Sequence, residues 1–197
     1  MISIQSFEDA LSCAEIARDG EELLYATIEL PWGNAEAREE KLALLRRAVA
    51  TERAPAKIAE LVARGLGGDP SWVFFAAVHV GPRAITACTA GPHRVHLLRR
   101  GALVASTREH LLRSDAAPPD WLPHIKPELD LRIHGRVVTR SLGSKASHPA
   151  EVTTWSAERP FRVVVASTEY HRDRDPEAYL TSLGPGEGAL AVLDAVG

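Results

Sequence analysis

Few groups of residues in this chain have types and spacing that could do chemistry on their own. His93 and His96 form an H-x-x-H pair, but side chains three positions apart on a strand point to opposite faces, which is unfavourable for one shared metal ion. Ser167 has no G-x-S-x-G sequence around it, so nothing indicates a serine nucleophile. The glycine-rich run 65–68 follows a helical pattern instead of opening one, which indicates a helix end and not a phosphate-binding loop. No single segment therefore predicts a catalytic site.

The composition excludes several classes of protein. The chain has 197 residues, 45% of them hydrophobic, and a formal net charge of −3. This charge argues against a nucleic-acid partner, because binding to phosphates requires a basic surface. No apolar run approaches the length of a membrane span, and the N-terminus has no signal-peptide pattern. We therefore expect a cytoplasmic protein without a membrane partner, in which Cys13 and Cys88 are buried free thiols rather than a disulfide.

The first third of the chain predicts one buried strand and two helices. Apolar residues at 23–28 indicate the strand. Asn34 is suited to cap a helix that runs to about residue 50, with acidic residues in its first turns. A second apolar face at 55–65 predicts a helix that ends at the glycine-rich run.

The middle of the chain changes to a strand pattern. Short runs rich in Val, Ile, Thr, Phe and Ala lie at 72–80, 84–90, 94–98 and 102–105. Gly-Pro or Arg-Gly pairs separate them, and such pairs are typical of turns. The spacing predicts an antiparallel meander of four strands.

The last third predicts further strands and one short helix. Strands are expected near 135–139, 161–167 and 189–194, and a helix at 175–182. Strands and helices are grouped along the chain rather than alternating, which favours an α+β fold with antiparallel sheets. The length suits one domain spanning 1–197.

Several segments, in order, resemble the motifs of a known family. Residues 136–143 (Arg-Val-Val-Thr-Arg-Ser-Leu-Gly) are similar to V-L-T-R-A-L-G, and residues 89–98 to V-G-D-S-R-x-Y-L. Residues 6–10 stand in the place of N-E-D-A, and residues 26–33 in the place of a strand that runs into D-G-x-G-G. These are motifs of the PPM (type 2C) metal-dependent Ser/Thr protein phosphatases, in their short bacterial form. The resemblance implies an α-β-β-α sandwich of two antiparallel sheets flanked by helices.

The resemblance also implies where a metal centre would be. In that family two divalent ions share a water, and the hydroxide formed from it attacks phosphorus in line. The aspartates that hold the ions correspond here to Asp9, Glu29, Thr168 and Glu187. Only Asp9 is unchanged, Glu29 and Glu187 are one methylene longer, and Thr168 has lost the charge. Asp9, Glu29 and Glu187 are therefore vestigial metal positions.

Two further departures concern residues beside that centre. Leu30 replaces the glycine that follows the metal-bridging aspartate, and Ile4 stands where bacterial members carry an arginine that grips phosphate. Together the departures predict a catalytically inactive pseudophosphatase, without a cofactor, that acts by binding and regulating a protein partner. The alternative is a divergent phosphatase for phosphoserine or phosphothreonine that depends on Mn²⁺ or Mg²⁺. Pairing of exposed strands between two copies of the chain is also left open.

The surface that would bind a partner has two candidates. One is the former active-site cleft, with Trp32, His93, Thr168 and Glu169 beside Glu29 as its lining. The other is a proline-rich stretch around Trp121.

Overall fold

The computed structural model describes residues 1–7, 12–30, 35–67, 73–111, 138–143, 150–167 and 189–196. These residues form strands and helices whose bounds follow in chain order: β1 (Ile2–Ser6), β2 (Ser12–Asp19), β3 (Glu22–Glu29), α1 (Ala35–Thr51), α2 (Pro55–Gly65), β4 (Phe74–Val80), β5 (Ala84–Ala90), β6 (Arg94–Arg99), β7 (Ala102–Ser106), β8 (Glu151–Ser156), β9 (Phe161–Ala166) and β10 (Ala189–Ala195).

The strands build two five-stranded sheets. Sheet A has the order β1-β10-β9-β6-β7, and sheet B has the order β2-β3-β4-β5-β8. Every neighbouring pair is antiparallel. The predicted α+β class with two antiparallel sheets is therefore confirmed.

The inner faces of the two sheets pack on each other and form a core of aliphatic and aromatic side chains. Sheet B contributes Tyr25 and Val78, among others, and sheet A contributes Val163 and Leu193. The hydroxyl of Tyr25 donates a hydrogen bond of 3.1 Å to the carbonyl oxygen of Leu190 in β10. This contact ties β3 of one sheet to β10 of the other inside the core.

Both described helices cover the outer face of sheet B. Leu45 of α1 and Ile58 and Val62 of α2 pack on Ile28 and Phe75 in one buried cluster. Helix α2 starts with proline, which suits a first turn whose N–H groups have no partner within the helix. The predicted helices at 35–50 and 55–65 are confirmed, whereas the one predicted at 175–182 lies outside the described residues. Neither described helix is long and apolar enough to cross a lipid bilayer.

The predicted four-strand meander is wrong. The pair β4–β5 lies in sheet B and the pair β6–β7 lies in sheet A, so the chain changes sheets between β5 and β6. At that crossover Gly91 has a φ of 105°, and Pro92 has no N–H to extend the ladder of β5. Glycine and proline break a strand in a hairpin and in a crossover alike, so the sequence pattern could not separate the two.

Two other strand predictions also need correction. Strand β8 (Glu151–Ser156) was missed, although its Val-Thr-Thr-Trp run is rich in strand-forming residues. In the described part of the strand expected near 135–139, Val138 makes only an isolated bridge to Leu111. The strands expected at 23–28, 161–167 and 189–194 are confirmed as β3, β9 and β10.

Candidate functional site

The candidate site lies at one edge of the sandwich, where β3 ends and β6 begins. Glu29 is the last residue of β3 and pairs with Phe74, the first residue of β4. His93 ends the crossover between the sheets, directly before β6. The Nε2 atom of His93 lies 2.9 Å from Oε2 of Glu29. Sheets A and B thus bring together two residues that are far apart in sequence.

The contact between His93 and Glu29 is shielded from water. The side chain of His93 is 0% exposed and that of Glu29 is 15% exposed. With a proton on Nε2, the imidazole donates a hydrogen bond to the carboxylate. Nδ1 is buried and has no hydrogen-bond partner in the part of the chain that the structure describes. Phe74 packs edge-on against the imidazole, with ring centroids 6.2 Å apart at 89°. The imidazole is therefore held in one orientation with Nε2 toward Glu29.

A second histidine and glutamate pair lies on the other side of the crossover. The Nε2 atom of His110 is 3.1 Å from Oε2 of Glu151 in β8. The backbone N–H of Gly91 donates to Nδ1 of His110 over 3.2 Å, so the ring proton is on Nε2, where it faces the carboxylate. The backbone N–H of His110 donates in return to the carbonyl oxygen of Gly91. The segment after β7 is thereby fixed to the crossover.

Gly91 fits this position because it has no side chain. Its φ of 105° lies in a region that residues with a Cβ rarely adopt. A Cβ atom there would lie only 2.8 Å from Cδ1 of Phe74. The close approach of Gly91 and Phe74 in turn positions the ring that packs on His93.

Three buried polar atoms that have no hydrogen-bond partner among the described residues lie at this edge. Thr89 Oγ1, Ser6 Oγ and Nδ1 of His93 are buried and make no hydrogen bond within the described ranges. Thr89 is in β5, paired with Glu151 in β8, and Ser6 ends β1. Such atoms are rare in folded proteins, and each calls for an explanation. This edge therefore contains buried hydrogen-bonding atoms beside the carboxylate of Glu29, which His93 orients.

Two residues of the predicted site, Glu29 and His93, are in direct contact, which the sequence did not show. His93 and His96 face different partners, as their spacing predicts, since Nδ1 of His96 lies 2.8 Å from Oγ of Ser106. The sequence missed the roles of His110 and Glu151, because only the strand pairing of β8 reveals them. The other predicted site residues lie outside the described part of the chain: Asp9, Trp32, Thr168, Glu169 and Glu187. Trp121 lies outside it as well.

Ile4 and Leu30 have apolar surroundings. Both are departures from the family motifs beside the expected metal centre. Ile4 lies on β1 and packs against the core between the sheets. Leu30 is buried and belongs to the core beneath the helices. Neither side chain offers a polar atom to a phosphate or to a metal-bound water.

The described residues do not by themselves form a metal centre. No three His, Cys, Asp or Glu side chains in the described ranges lie close enough together to hold an ion. Glu29 supplies one carboxylate, and that carboxylate is bound by His93. The other two carboxylates implied by the resemblance, Asp9 and Glu187, lie outside the described ranges.

Comparison with known proteins gives similarity in structure but not in sequence. No protein-family model matches the sequence, and no curated protein matches it. Solved structures match over nearly the whole chain. The Ser/Thr phosphatase Stp1 from Staphylococcus aureus has a TM-score of 0.69 at 11% identity, covering 100% of this chain and 94% of that one. The chain has the fold of the PPM-type phosphatases.

Two further structures with this fold extend the comparison. The catalytic domain of the Ser/Thr phosphatase PstP, solved in complex with two manganese ions, has a TM-score of 0.62 at 15% identity and covers 100% of this chain and 98% of its own. A Stage II sporulation E family protein from Thermanaerovibrio acidaminovorans has a TM-score of 0.61 at 17% identity, covering 92% of this chain and 98% of its own. The fold implied by the motif order is thus confirmed.

The PstP structure contradicts the prediction that no cofactor is involved. That catalytic domain has the same fold and holds two manganese ions, so we withdraw the prediction. The error has a chemical reason. Lengthening aspartate to glutamate, as at Glu29 and Glu187, changes the position of the carboxylate but keeps the hard oxygen donors that Mn²⁺ and Mg²⁺ prefer.

Proposed function

We propose that this chain is a PPM-type pseudophosphatase that acts as a protein-binding regulatory module. The observation that carries the proposal is the contact of 2.9 Å between Glu29 and the buried His93. Glu29 stands where the resemblance places the metal-bridging aspartate. The contact holds Oε2 toward His93, which restricts the directions from which Oε1 and the remaining lone pair of Oε2 can reach two cations. Turning the carboxylate further toward both cations would strain or break its hydrogen bond to the buried imidazole. A buried polar group that loses its hydrogen bond is costly.

The residues around Glu29 support the same proposal. In-line hydrolysis of a phosphoester needs the nucleophile and the phosphate to be held within a fraction of an ångström. Ile4 packs its side chain into the core where the family has a phosphate-gripping arginine, and the bulk of Leu30 follows Glu29 directly. Thr168 adds the loss of one carboxylate. Positioning of the phosphate and of its attacking water is weakened at each of these places.

For the binding role we propose the former active-site cleft, with Trp32, Thr168 and Glu169 as contact residues. His93, expected from the sequence to line the cleft, is fully buried, so its role there is to hold Glu29. The support is a complete two-sheet scaffold whose metal positions have changed while buried polar atoms remain at its edge. Aromatic anchors such as Trp32 contribute strongly to protein interfaces.

Capture of a partner from cell lysate by the tagged full chain tests this role. Trp32→Ala should reduce the captured amount of a specific partner by about tenfold, a loss typical of an aromatic anchor. Ile16→Ala removes an exposed apolar side chain from β2 and serves as the control. Equal retention of the partner by wild-type protein and Trp32→Ala would refute the cleft as the binding surface.

A second candidate function is favoured by the PstP structure with its two manganese ions. The chain keeps carboxylates at Asp9, Glu29 and Glu187, which gives a divergent Ser/Thr phosphatase three of its ligands. This candidate requires Mn²⁺-dependent hydrolysis of p-nitrophenyl phosphate that Asp9→Ala abolishes. Hydrolysis that is absent at every Mn²⁺ concentration would eliminate it.

A further inference from the structure

Sheet A carries a pocket of about 560 Å³ at the end of the sandwich opposite to Glu29 and His93. His93 comes directly before β6, whereas Arg100 comes directly after it and lines the pocket. The six residues of β6 separate the two places by about 20 Å of extended chain. The pocket is therefore distinct from the cleft and from the function proposed for it.

The floor of the pocket is one row of side chains across sheet A. Ser3 of β1 pairs with Asp194 of β10, which pairs with Arg162 of β9. Arg162 in turn pairs with Leu98 of β6. Residues directly opposite each other in antiparallel strands share a face. Phe161, the neighbour of Arg162, belongs to the core between the sheets, so this row is on the face of sheet A that points away from sheet B.

Among the described residues, the charges in the pocket leave one positive group without a partner. Arg162 and Asp194 form a two-pronged ion pair, with Nε to Oδ1 at 2.7 Å and Nη2 to Oδ2 at 2.9 Å. The hydrogen bond to Asp194 raises the pKa of Arg162 above its usual value. Because both carboxylate oxygens are engaged, Asp194 neutralises Arg162. Arg100 is the third charged residue of the lining, so the pocket has a net positive charge.

Arg100 has a backbone conformation that does not suit its side chain. Its φ is 52°, and within the described ranges it is the only residue other than glycine with a positive φ. Gly101 follows with a φ of 85°, so the two form a tight turn between β6 and β7 in which both residues have a positive φ. Asn-Gly is the preferred sequence for such turns, because a side chain on Cβ is crowded there. No hydrogen bond or ion pair links the guanidinium to the described part of the chain, so no contact within that part explains the arginine.

We propose that this pocket binds a small organic anion through Arg100. The volume is in the range of small-molecule sites. Pro160 and Val196 line the pocket with exposed side chains and give the apolar body of such a ligand a surface to lie against. A guanidinium recognises carboxylate, sulfonate or phosphonate oxygens through paired, charge-assisted hydrogen bonds. Backbone strain of the kind seen at Arg100 is concentrated at ligand-binding positions, which agrees with this role.

Calorimetric titration of the full chain with three anionic probes on one skeleton tests the proposal. The probes are 2-naphthoate, 2-naphthalenesulfonate and 2-naphthylphosphonate. None of them contains a phosphoester bond that a phosphatase could hydrolyse. The neutral control is 2-naphthol. We expect at least one anion to bind with a stoichiometry of one and the neutral analogue to bind about tenfold more weakly. Loss of a hydrogen bond to a charged group has an effect of this size.

Two matched variants locate the binding. Arg100→Asn removes the guanidinium and places a preferred residue in the turn. Arg83→Asn removes a guanidinium from the turn between β4 and β5, where Arg83 is exposed and outside the pocket. We expect Arg100→Asn to weaken binding about tenfold while raising Tm by about 2 °C, and Arg83→Asn to bind like wild-type protein.

Four results would overturn the proposal. One is the absence of saturable binding for all three anions, and another is unchanged affinity in Arg100→Asn. Equal weakening in Arg83→Asn would assign the binding to general surface charge. Loss of binding in His93→Asn, with Arg100→Asn unaffected, would place the anion in the cleft.

Discussion

At the scale of single residues, the buried contact between His93 and Glu29 restricts the orientation of the one carboxylate that the described part of the candidate metal centre contains. His93 has no exposed surface, and its Nδ1 has no hydrogen-bond partner among the described residues. Glu29 is therefore the one described group that satisfies the imidazole by a side-chain hydrogen bond. The two side chains are constrained as a pair.

We expect His93→Asn to lower the free energy of unfolding by about 2 kcal/mol, because it leaves a shielded carboxylate without its donor. Urea denaturation of wild-type protein and variant measures the loss. His79→Asn is the matched control, since His79 also contacts a carboxylate, Oε2 of Glu22, through Nε2 at 3.2 Å. That pair is 21% and 42% exposed, so its loss should be below about 1 kcal/mol. Equal losses in the two variants would show that burial gives the pair with Glu29 no special importance.

Cys88 gives a prediction about pH. Burial raises the pKa of its thiol to about 12, from an ordinary value of 9.0. The folded protein therefore keeps this proton at pH values where the unfolded chain has lost it. Below about pH 9 both states are protonated and Cys88 makes no pH-dependent contribution. As the pH rises from 9 toward 12 the unfolded state is favoured, and the free energy of unfolding falls.

The measurement uses the Cys13→Ser background, in which Cys88 is the only thiol. Between pH 8 and pH 10 we expect this protein to lose about 1 kcal/mol more stability than the same protein with Cys88→Ala. The native thiol should also resist alkylation at pH 8, because the thiolate is the reactive form. Rapid labelling of native Cys88 would contradict its burial.

Part of the candidate site could be predicted from the sequence. The order of motifs singled out Glu29 and His93 separately, but their contact depends on a change of sheets that no local pattern encodes. The pair of His110 and Glu151 is 41 residues apart in sequence, and Glu151 is in a strand that was not predicted. Long-range pairing between strands is what the sequence leaves undetermined.

At the scale of elements, the crossover from β5 to β6 determines the geometry of the site. It carries Gly91, whose N–H and carbonyl groups both bond to His110, and it ends at His93. The hairpins on either side were predicted correctly, because each has strand-forming residues around a turn signal. The crossover was predicted as one more hairpin, since the same glycine and proline serve both.

Gly91→Ala tests how tightly the crossover is built. The new Cβ would have a positive φ and would lie 2.8 Å from the ring of Phe74. We expect a loss of about 3 kcal/mol in the free energy of unfolding, the combined cost of the disfavoured backbone conformation and of overpacking. Gly20→Ala is the control, since Gly20 has a φ of 57° but no atom within 4 Å of the new Cβ. Its loss should be about 1 kcal/mol, and an equal loss at both glycines would refute the close packing at Phe74.

At the scale of the whole molecule, two antiparallel sheets form a fold that two solved Ser/Thr phosphatases and a Stage II sporulation E family protein share at 11–17% sequence identity. Such a fold depends on buried apolar positions and turns, which many sequences satisfy. The catalytic centre depends on a few charged residues, and these are the residues that differ here. A shared fold does not by itself establish a shared activity. The order of motifs therefore predicted the architecture correctly, while the function is a proposal.

The most direct test of lost turnover is hydrolysis of a phosphothreonine peptide by the full wild-type chain over a titration of Mn²⁺. The PstP catalytic domain serves as the positive control and Asp9→Ala as the matched variant. We predict that the wild-type chain releases no more phosphate than a protein-free blank at any Mn²⁺ concentration. Release of phosphate that rises with Mn²⁺ in the wild-type chain and disappears in Asp9→Ala would contradict the proposal and establish a phosphatase.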